Sequence, residues 1–185
     1  LGQKGDATAV PALIEQIAAE SEALRKAAWH ALAQIPSPQA LPTFTKAVTE
    51  NKDPIATAEL LDFADVLVRA GKLGEADKIA KLRKQAGPLS VQDKCKMLRV
   101  HARLGTPESI SLVLAGLDDT DPKIHGAALE AAAILPSTDF THELTQRMDA
   151  SKDQAKLDLL EVLGKRGKQM TDATAMLMFK AMIDP

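Results

Sequence analysis

Few residues in this chain have the types and spacing that catalysis or metal binding requires. The four histidines are not spaced with one another, with the cysteine or with carboxylates in a zinc-like ligand motif. The sequence also has no nucleophile elbow, no glycine-rich phosphate loop and no paired-carboxylate motif. We therefore predict no catalytic, cofactor-binding or metal-binding site. We expect each histidine on the surface or in a turn: His30, His101, His125 and His142.

The composition indicates an aliphatic interior. Hydrophobic residues make up 45% of the 185 residues, whereas aromatic residues make up only 3% and tyrosine is absent. The core is therefore expected to consist of Ala, Leu, Ile, Val and Met side chains. The single cysteine, Cys95, lies at helical spacing from Val91, Leu98 and Ala102, which favours a buried structural thiol over a reactive one.

Charge is distributed unevenly along the chain. The net charge of −2 favours neither nucleic-acid binding nor an acidic tail, yet residues 72–103 carry nine bases against three acids, a net of +6. Residues 108–161 carry eleven acids against four bases, a net of −7. Within the basic block a polar stripe follows one helix face: Gln92, Lys96, Arg99 and Arg103. The stripe is either a solvated helix face or a docking surface for an acidic partner.

Trp29, the only tryptophan, is a further candidate for partner binding. Around the circumference of its predicted helix it lies well away from the core stripe, beside Arg25 and Ala33. One interpretation is an apolar seam between adjacent repeats. The other is a partially exposed anchor, because tryptophan and arginine are enriched at interface hot spots.

The helices that must position these residues are clearest between Asp118 and Pro136. Asp121 is a suitable N-cap, and Pro122 suits the first helical position because its missing N–H would have no partner there. Apolar residues then follow one helix face: Ile124, Ala127, Ala128, Ala131, Ala132 and Leu135. A face made mostly of alanine buries little area, so this helix needs partners on more than one side.

The sequence supplies such partners by repetition. Residues 27–37 resemble residues 127–137, so Leu129 is equivalent to Trp29. Equivalent helix ends fall at Pro36, Gly71, Gly105, Pro136 and Gly167, a spacing typical of helical solenoid repeats. This spacing predicts repeats over residues 6–36, 37–71, 72–105, 106–136 and 137–167, with half a repeat over 168–185. The opening residues match 163–167, which suggests that the chain, a single repeat domain over 1–185, is a fragment of a longer protein.

The residues Asp119–Ala128, with the pattern Asp-x-Asp-Pro-x-Ile-x-x-Ala-Ala, resemble the turn and second helix of HEAT repeats. Residues 5–14, continued by 24–28, are similar to the phycobilin-lyase-type HEAT-like repeats of bacteria. Arg25 matches the arginine of that family, and His125 occupies the same place in the fourth repeat. A local likeness to tetratricopeptide repeats is limited to Leu67–Lys84.

The resemblance implies an all-α, right-handed α-solenoid of antiparallel helix pairs, with about five and a half repeats and an armadillo-like fold. It also implies a non-catalytic scaffold whose second helices line a concave surface for a protein or peptide partner. That partner would be acidic where it meets Lys96, Arg99 and Arg103. Two alternatives remain open on the same fold: a DNA-binding enzyme of the alkylpurine glycosylase type and a chromophore-lyase-like subunit. The basic, aromatic-lined face of such glycosylases is missing from this sequence.

Proline, glycine and capping residues predict where each helix begins and ends. The predicted helices span residues 7–18, 22–35, 38–48, 53–70, 73–86, 90–104, 106–117, 121–135, 139–148, 153–165 and 171–182.

Burial and association can be predicted from the same pattern. Leu32, Leu129 and Leu160 should be buried on second helices. The end repeats are expected to expose apolar faces and to self-associate, through Leu13, Ile14 and Ile17 or through Met176, Met178, Phe179 and Met182. No stretch is long and apolar enough for a membrane span. The compartment stays open between cytoplasm and periplasm.

Overall fold

The computed structural model describes residues 6–167, which form ten α-helices and contain no β-strand. The helices are α1 (Val10–Gln16), α2 (Glu22–Ala33), α3 (Leu41–Thr49), α4 (Pro54–Arg69), α5 (Leu73–Gln85), α6 (Val91–Leu104), α7 (Pro107–Leu117), α8 (Pro122–Ile134), α9 (Thr138–Ala150) and α10 (Asp153–Arg166). Short 3-10 turns, Ala7–Ala9 and Pro38–Ala40, lead into α1 and α3. These bounds lie close to the predicted ones, and the predicted helix 171–182 lies outside the described residues.

Short polar side chains determine where several of the helices begin. Asp53 and Asp121 have extended backbones, and their carboxylates accept hydrogen bonds from the first amides of α4 and α8. Each is followed by a proline at the first helical position, where no intrahelical N–H bond is lost. Thr106 and Ser109 form a reciprocal capping box at the start of α7. The Asp-Pro and Thr-Pro pairs therefore start helices as the sequence predicted.

Glycine is required at the turn between α6 and α7. Gly105 has a φ of +65°, which side-chain-bearing residues rarely adopt. A Cβ atom at this position would also lie 2.9 Å from Cγ of Pro136. Pro136 lies in the turn after α8. The absence of a side chain at Gly105 therefore allows the α6–α7 turn to pack against the turn after α8.

The chain divides into two compact units, Leu1–Val100 and His101–Pro185. In the first unit α4 is the central helix and contacts α2, α3 and α5. Phe63 on α4 stacks on Phe44 of α3 with ring centroids 4.8 Å apart, and both rings are fully buried. The prediction of a purely aliphatic interior is wrong for this unit. The few aromatic side chains are concentrated in the core because they bury the largest apolar area per residue.

In the second unit α8 contacts both α7 and α10, and α10 also contacts α9. The buried face of α8 consists of Ile124, Ala128, Ala131 and Ala132, all on the predicted face, whereas Ala127 of the same predicted face is only half-buried. A bidentate ion pair joins Arg147 of α9 to Asp118 at the end of α7, with N–O distances of 2.9 and 2.7 Å. These hydrogen bonds hold the pKa of the Asp118 carboxyl below its ordinary value. Since Asp118 is exposed, the pair contributes little stability.

A buried arginine connects three elements of the second unit. Arg166, at the end of α10, donates hydrogen bonds to the Thr141 hydroxyl at 2.9 Å, the Ser137 carbonyl at 2.7 Å and the Ala132 carbonyl. Its guanidinium also lies 5.1 Å from the centre of the Phe140 ring. Burial lowers the pKa of Arg166 to about 10, so the group is still charged at neutral pH.

The prediction of full burial is wrong for two of the three leucines on second helices. Leu32 is fully buried, but Leu129 and Leu160 are only half-buried. The adjacent Ala128 and Leu159 are the buried residues, and each leucine lies at the edge of the buried face of its helix. Leu13 and Ile14 on α1 and Ile17 just after it are also half-buried. Self-association through these residues stays a prediction, and the second face predicted for it, residues 176–182, lies outside the described residues.

The architecture is consistent with an all-α solenoid in which helices pack against neighbouring helices. The right-handed sense, the count of five and a half repeats and the single domain over residues 1–185 stay predictions.

Burial predicts unequal effects for two alanine substitutions. We expect Leu32→Ala to lower the free energy of unfolding by about 3 kcal/mol, because it leaves a cavity in the core. Leu129→Ala should cost less, about 1 kcal/mol, because part of its side chain is already in contact with water. Denaturant unfolding followed by circular dichroism measures both values. Equal losses would contradict the difference in burial between the two leucines.

The buried arginine should be irreplaceable by lysine. Arg166→Lys keeps the charge but cannot reach three acceptors at once, so we expect a loss of about 2 kcal/mol. The exposed neighbour Lys165 provides the control, and Lys165→Arg should change stability by less than about 0.5 kcal/mol. Unchanged stability of Arg166→Lys in the same melts would show that its hydrogen bonds contribute nothing.

Candidate functional site

Two side chains one hundred residues apart bind backbone carbonyls that precede their own helices. Arg25 donates from Nη1 to the carbonyls of Ala19 and Glu20, both at 3.2 Å. His125 lies with Nδ1 2.9 Å from the carbonyl of Leu117. These are the two positions that the internal repeat of the sequence made equivalent. His125 therefore satisfies a carbonyl at the end of α7, whereas Arg25 binds carbonyls of the loop between α1 and α2.

Trp29 belongs to the core. Its side chain has no exposed surface, its ring lies 4.8 Å from Phe44, and its Nε1 donates a hydrogen bond to Asp53 Oδ2 at 3.2 Å. A partially exposed anchor is therefore a wrong description of Trp29. These contacts join α2 to α3 and to the N-cap of α4. They lie between adjacent repeats, which is the other interpretation of Trp29 that the sequence allowed.

An open groove of about 660 Å³ lies between α2 and α4. Its apolar part is formed by small or short side chains, Ala27 on α2 and Pro54, Ile55 and Ala58 on α4. The charged part carries two pairs: Glu22 with Lys26 at 2.6 Å, and His30 with Glu59 at 3.2 Å. The charged lining residues are therefore already engaged with one another, and the apolar strip is the part open to a ligand.

A second groove of about 610 Å³ lies on the other side of α4, between α4 and α6. Lys96 of α6 donates to Asp62 of α4 at 2.7 Å across this groove. Arg83 forms part of the wall, is almost fully buried, and donates to Asp93 at 2.8 Å. Further lining residues are Lys52, Pro54, Thr57, Ala58, Glu59, Ala86, Ser90 and Gln92. The groove therefore presents both signs of charge.

The two grooves meet on one ridge. Pro54, Ala58 and Glu59 of α4 line both of them, so the surface is continuous from α2 through α4 to α6. Sequence reasoning missed this ridge and also missed the buried Arg83. The available signal in the sequence was the small residue Ala58, because an alanine leaves space for a ligand on either side of α4.

The predicted basic stripe is only partly in this surface. Gln92 and Lys96 line the groove between α4 and α6, whereas Arg99 lies one turn further along α6 and is exposed. Arg103 is also exposed but belongs to the second compact unit. Lys96 is half-buried and paired with Asp62, so a ligand carboxylate at this position would compete with Asp62.

The other chemistry-bearing residues have structural surroundings. His101 is buried with Nδ1 3.1 Å from the hydroxyl of Ser109, so the prediction of a surface or turn position is wrong for it. Burial of this histidine is tolerated because the capping box of α7 supplies a hydrogen-bond partner. Cys95 is half-buried rather than buried. Within residues 6–167 no group of three potential metal ligands is present.

The comparison with known proteins agrees with this architecture. Residues 1–62 match the family model of HEAT repeats, and no curated protein matches the chain. The match and the ten helices of the described residues fit a HEAT-repeat helical protein. HEAT repeats are generally protein-interaction scaffolds and typically non-enzymatic. Among the described helices, none has the length and hydropathy needed to cross a membrane.

Because Trp29 bonds to Asp53, the two N-cap aspartates Asp53 and Asp121 are expected to contribute differently to stability. Asp53→Ala removes a cap and also leaves the buried Trp29 N–H without its acceptor, so we expect a loss of about 3 kcal/mol. Asp121→Ala removes only a cap and should cost about 1 kcal/mol. Denaturant unfolding with circular dichroism measures both, and Trp29 fluorescence reports on the first. Equal losses would show that the bond to Trp29 adds no stability.

Proposed function

We propose that this chain is a non-catalytic protein–protein interaction scaffold that binds a segment of its partner across α2, α4 and α6. The single observation that carries the proposal is the pair of grooves that share Pro54, Ala58 and Glu59. Side by side they offer a longer binding surface than either offers alone. The family generality for HEAT repeats supports the same class of function.

The chemistry of the surface suits a polypeptide. The apolar strip along Ala27, Ile55 and Ala58 is narrow and lined by short side chains, so a backbone can approach closely. The adjoining groove presents Lys96, Asp62 and Glu59, which can form hydrogen bonds with peptide groups and with charged side chains. Such an arrangement combines contact area with a small number of directional contacts.

The helices also provide a fixed frame for binding. α4 lies at the centre of the first unit, and its opposite face carries the fully buried Leu60, Phe63 and Leu67. A ridge anchored in this way does not have to order itself when a partner binds. Preorganisation of this kind lowers the entropic cost of association.

Peptide selection on the intact chain provides the test. Peptides selected by display against the wild-type protein should bind Ala58→Arg at least about tenfold more weakly, because the arginine would occupy both grooves. The matched control is Ala12→Arg on the exposed face of α1, which should bind like the wild type. Both are exposed alanines within helices, so the effect of the substitution on helix stability is similar.

Two results would overturn the proposal. Selected peptides that bind Ala58→Arg as tightly as the wild type would place the site elsewhere. A selection that yields no peptide whose binding depends on the folded chain would remove the scaffold function itself. Circular dichroism of each variant verifies that the fold is intact before binding is compared.

A further inference from the structure

We propose that the groove between α4 and α6 binds the main chain of an extended, uncharged partner segment through the side chains of Lys52 and Gln92. This inference rests on the proposed function and specifies which chemistry of the partner the groove recognises. Arg99 and Arg103 are not part of the site, since neither lines the groove.

The charged side chains of the groove balance and bind one another. The lining contains three carboxylates and three lysine or arginine side chains: Glu59, Asp62, Asp93, Lys52, Arg83 and Lys96. Arg83 is paired with Asp93 at 2.8 Å and Lys96 with Asp62 at 2.7 Å. Glu59 lies 3.2 Å from His30. The lining has no surplus of either sign, so its net charge favours neither an acidic nor a basic segment.

Two polar side chains of the groove are available to a ligand. The hydroxyl groups of Thr57 and Ser90 already donate hydrogen bonds, to the Asp53 carbonyl and to the Asp93 carboxylate. Among residues 6–167, no hydrogen bond or ion pair engages the ammonium group of Lys52 or the amide of Gln92. Both residues are exposed. A ligand can therefore bind these two groups without breaking an existing contact.

The backbone of Lys52 indicates that its side chain has a function. Its φ is +52°, in the left-handed region that costs stability for residues with a side chain. Elsewhere among the described residues a positive φ occurs at Asp153 and at glycines: Gly71, Gly87, Gly105 and Gly167. Because the Lys52 ammonium group has no partner in this part of the chain, no polar contact offsets the cost. A contact with a ligand accounts for lysine at this turn.

The two available side chains match the main chain of a peptide. A primary amide such as that of Gln92 can donate to the carbonyl of a peptide unit and accept from its N–H. The Lys52 ammonium group offers donors to a further carbonyl. A ligand carboxylate would meet the three carboxylates of the groove, whereas a peptide carbonyl carries no charge. The small side chains of Ala58 and Ala86 allow a main chain to approach closely.

Both side chains project from turns that are held in place. Before α6, Arg83 donates to the carbonyls of Gly87 and Pro88, and Asp93 accepts hydrogen bonds from the amide and the hydroxyl of Ser90. Before α4, the residue after Lys52 is Asp53, whose carboxylate is fixed by its bonds to the first amides of α4. A site on fixed turns loses less entropy when a partner binds.

The experiment uses fluorescein-labelled peptides that are selected by display on the wild type and depend on Ala58, and it measures their binding to the full chain by fluorescence anisotropy. We expect Lys52→Gly to weaken binding about tenfold and Gln92→Ala about fivefold, because each removes hydrogen bonds to the ligand. Lys52→Arg keeps the donors and should stay within about threefold of the wild type. Added salt should change wild-type binding by less than about threefold, because the ligand is uncharged.

Stability provides a readout that a merely structural lysine would not give. Lys52→Gly should raise the equilibrium constant for folding about threefold in denaturant unfolding, because glycine adopts a positive φ without strain. Binding and stability then change in opposite directions, as at a functional position that is not optimal for the fold. Lys52→Asn, whose side chain also tolerates this region, provides a second variant for both measurements.

Methylation of single backbone N–H groups in the peptide tests recognition of the main chain. At the peptide unit that Gln92 binds, an N-methyl group should weaken binding to the wild type about fivefold. The same peptide should bind Gln92→Ala less than about twofold more weakly than its unmethylated form, because the contact is already lost.

Matched controls separate the site from general effects of each substitution. Lys46→Gln removes an exposed lysine charge from α3, Gln16→Ala removes an exposed amide from α1, and Asp153→Gly places glycine at a φ of +50° in the second unit. None of these residues lines either groove. Each control should leave the dissociation constant within about twofold of the wild type.

Four results would overturn the inference. They are binding that responds to Lys52→Gly and Gln92→Ala no more than to the controls, a Lys52→Gly variant no more stable than the wild type, an N-methyl scan without a position coupled to Gln92, and selected peptides whose charged side chains make binding steeply salt-dependent. In each case a tenfold loss with Ala58→Arg would still support the scaffold function. A selection that yields no peptide would remove both, so the two failures are distinguishable.

Discussion

The carboxylate of Asp53 makes the interaction on which the first unit depends. One oxygen accepts the amides of Ile55 and Ala56 and so starts α4, while the other accepts the indole N–H of Trp29 from the preceding repeat. A helix start and a contact between repeats are thus made by a single side chain. Because α4 carries the surface that the two grooves share, the position of that surface follows from this contact.

The same physical requirement recurs at the other turns. A chain of short helices has many ends, and each end leaves amides or carbonyls without an intrahelical partner. His125 satisfies a carbonyl at the end of α7, Arg25 binds carbonyls of the loop after α1, and Arg166 binds the carbonyls of Ala132 and Ser137. The side chains differ in type, yet each binds a backbone carbonyl in or beside the turn between two helices. Repeats can therefore diverge in sequence while the geometry of the turn is kept.

Much of the fold could be predicted from the sequence because these turns have local signatures. Asp53-Pro54 and Asp121-Pro122 start helices by interactions within three residues, and Gly105 ends one through its own backbone. The extent of burial at the edge of a helix face is harder to predict. Ala128 lies on the predicted face of α8 and is buried, whereas the larger Leu129 beside it is only half-buried, because its burial depends on neighbours in space.

The candidate site could be predicted only where a single helix defines it. The stripe of Lys96 and Arg99 follows from spacing on α6, whereas its partner Asp62 is thirty-four residues away and belongs to the preceding repeat. The burial of Trp29, twenty-four residues from Asp53, was left undecided for the same reason. Contacts between repeats are set by tertiary packing, which the periodicity of one helix does not contain.

A groove lined by ion pairs has a consequence for selectivity. Lys96 already has a carboxylate partner in Asp62, so a ligand gains only the difference between its own contact and the one it replaces. On the proposed function, a partner segment therefore has to place several groups correctly along α2, α4 and α6. The apolar strip beside Ala58 then contributes contact area that a purely acidic ligand cannot use. Selectivity in this surface thus arises because charge and shape have to match together.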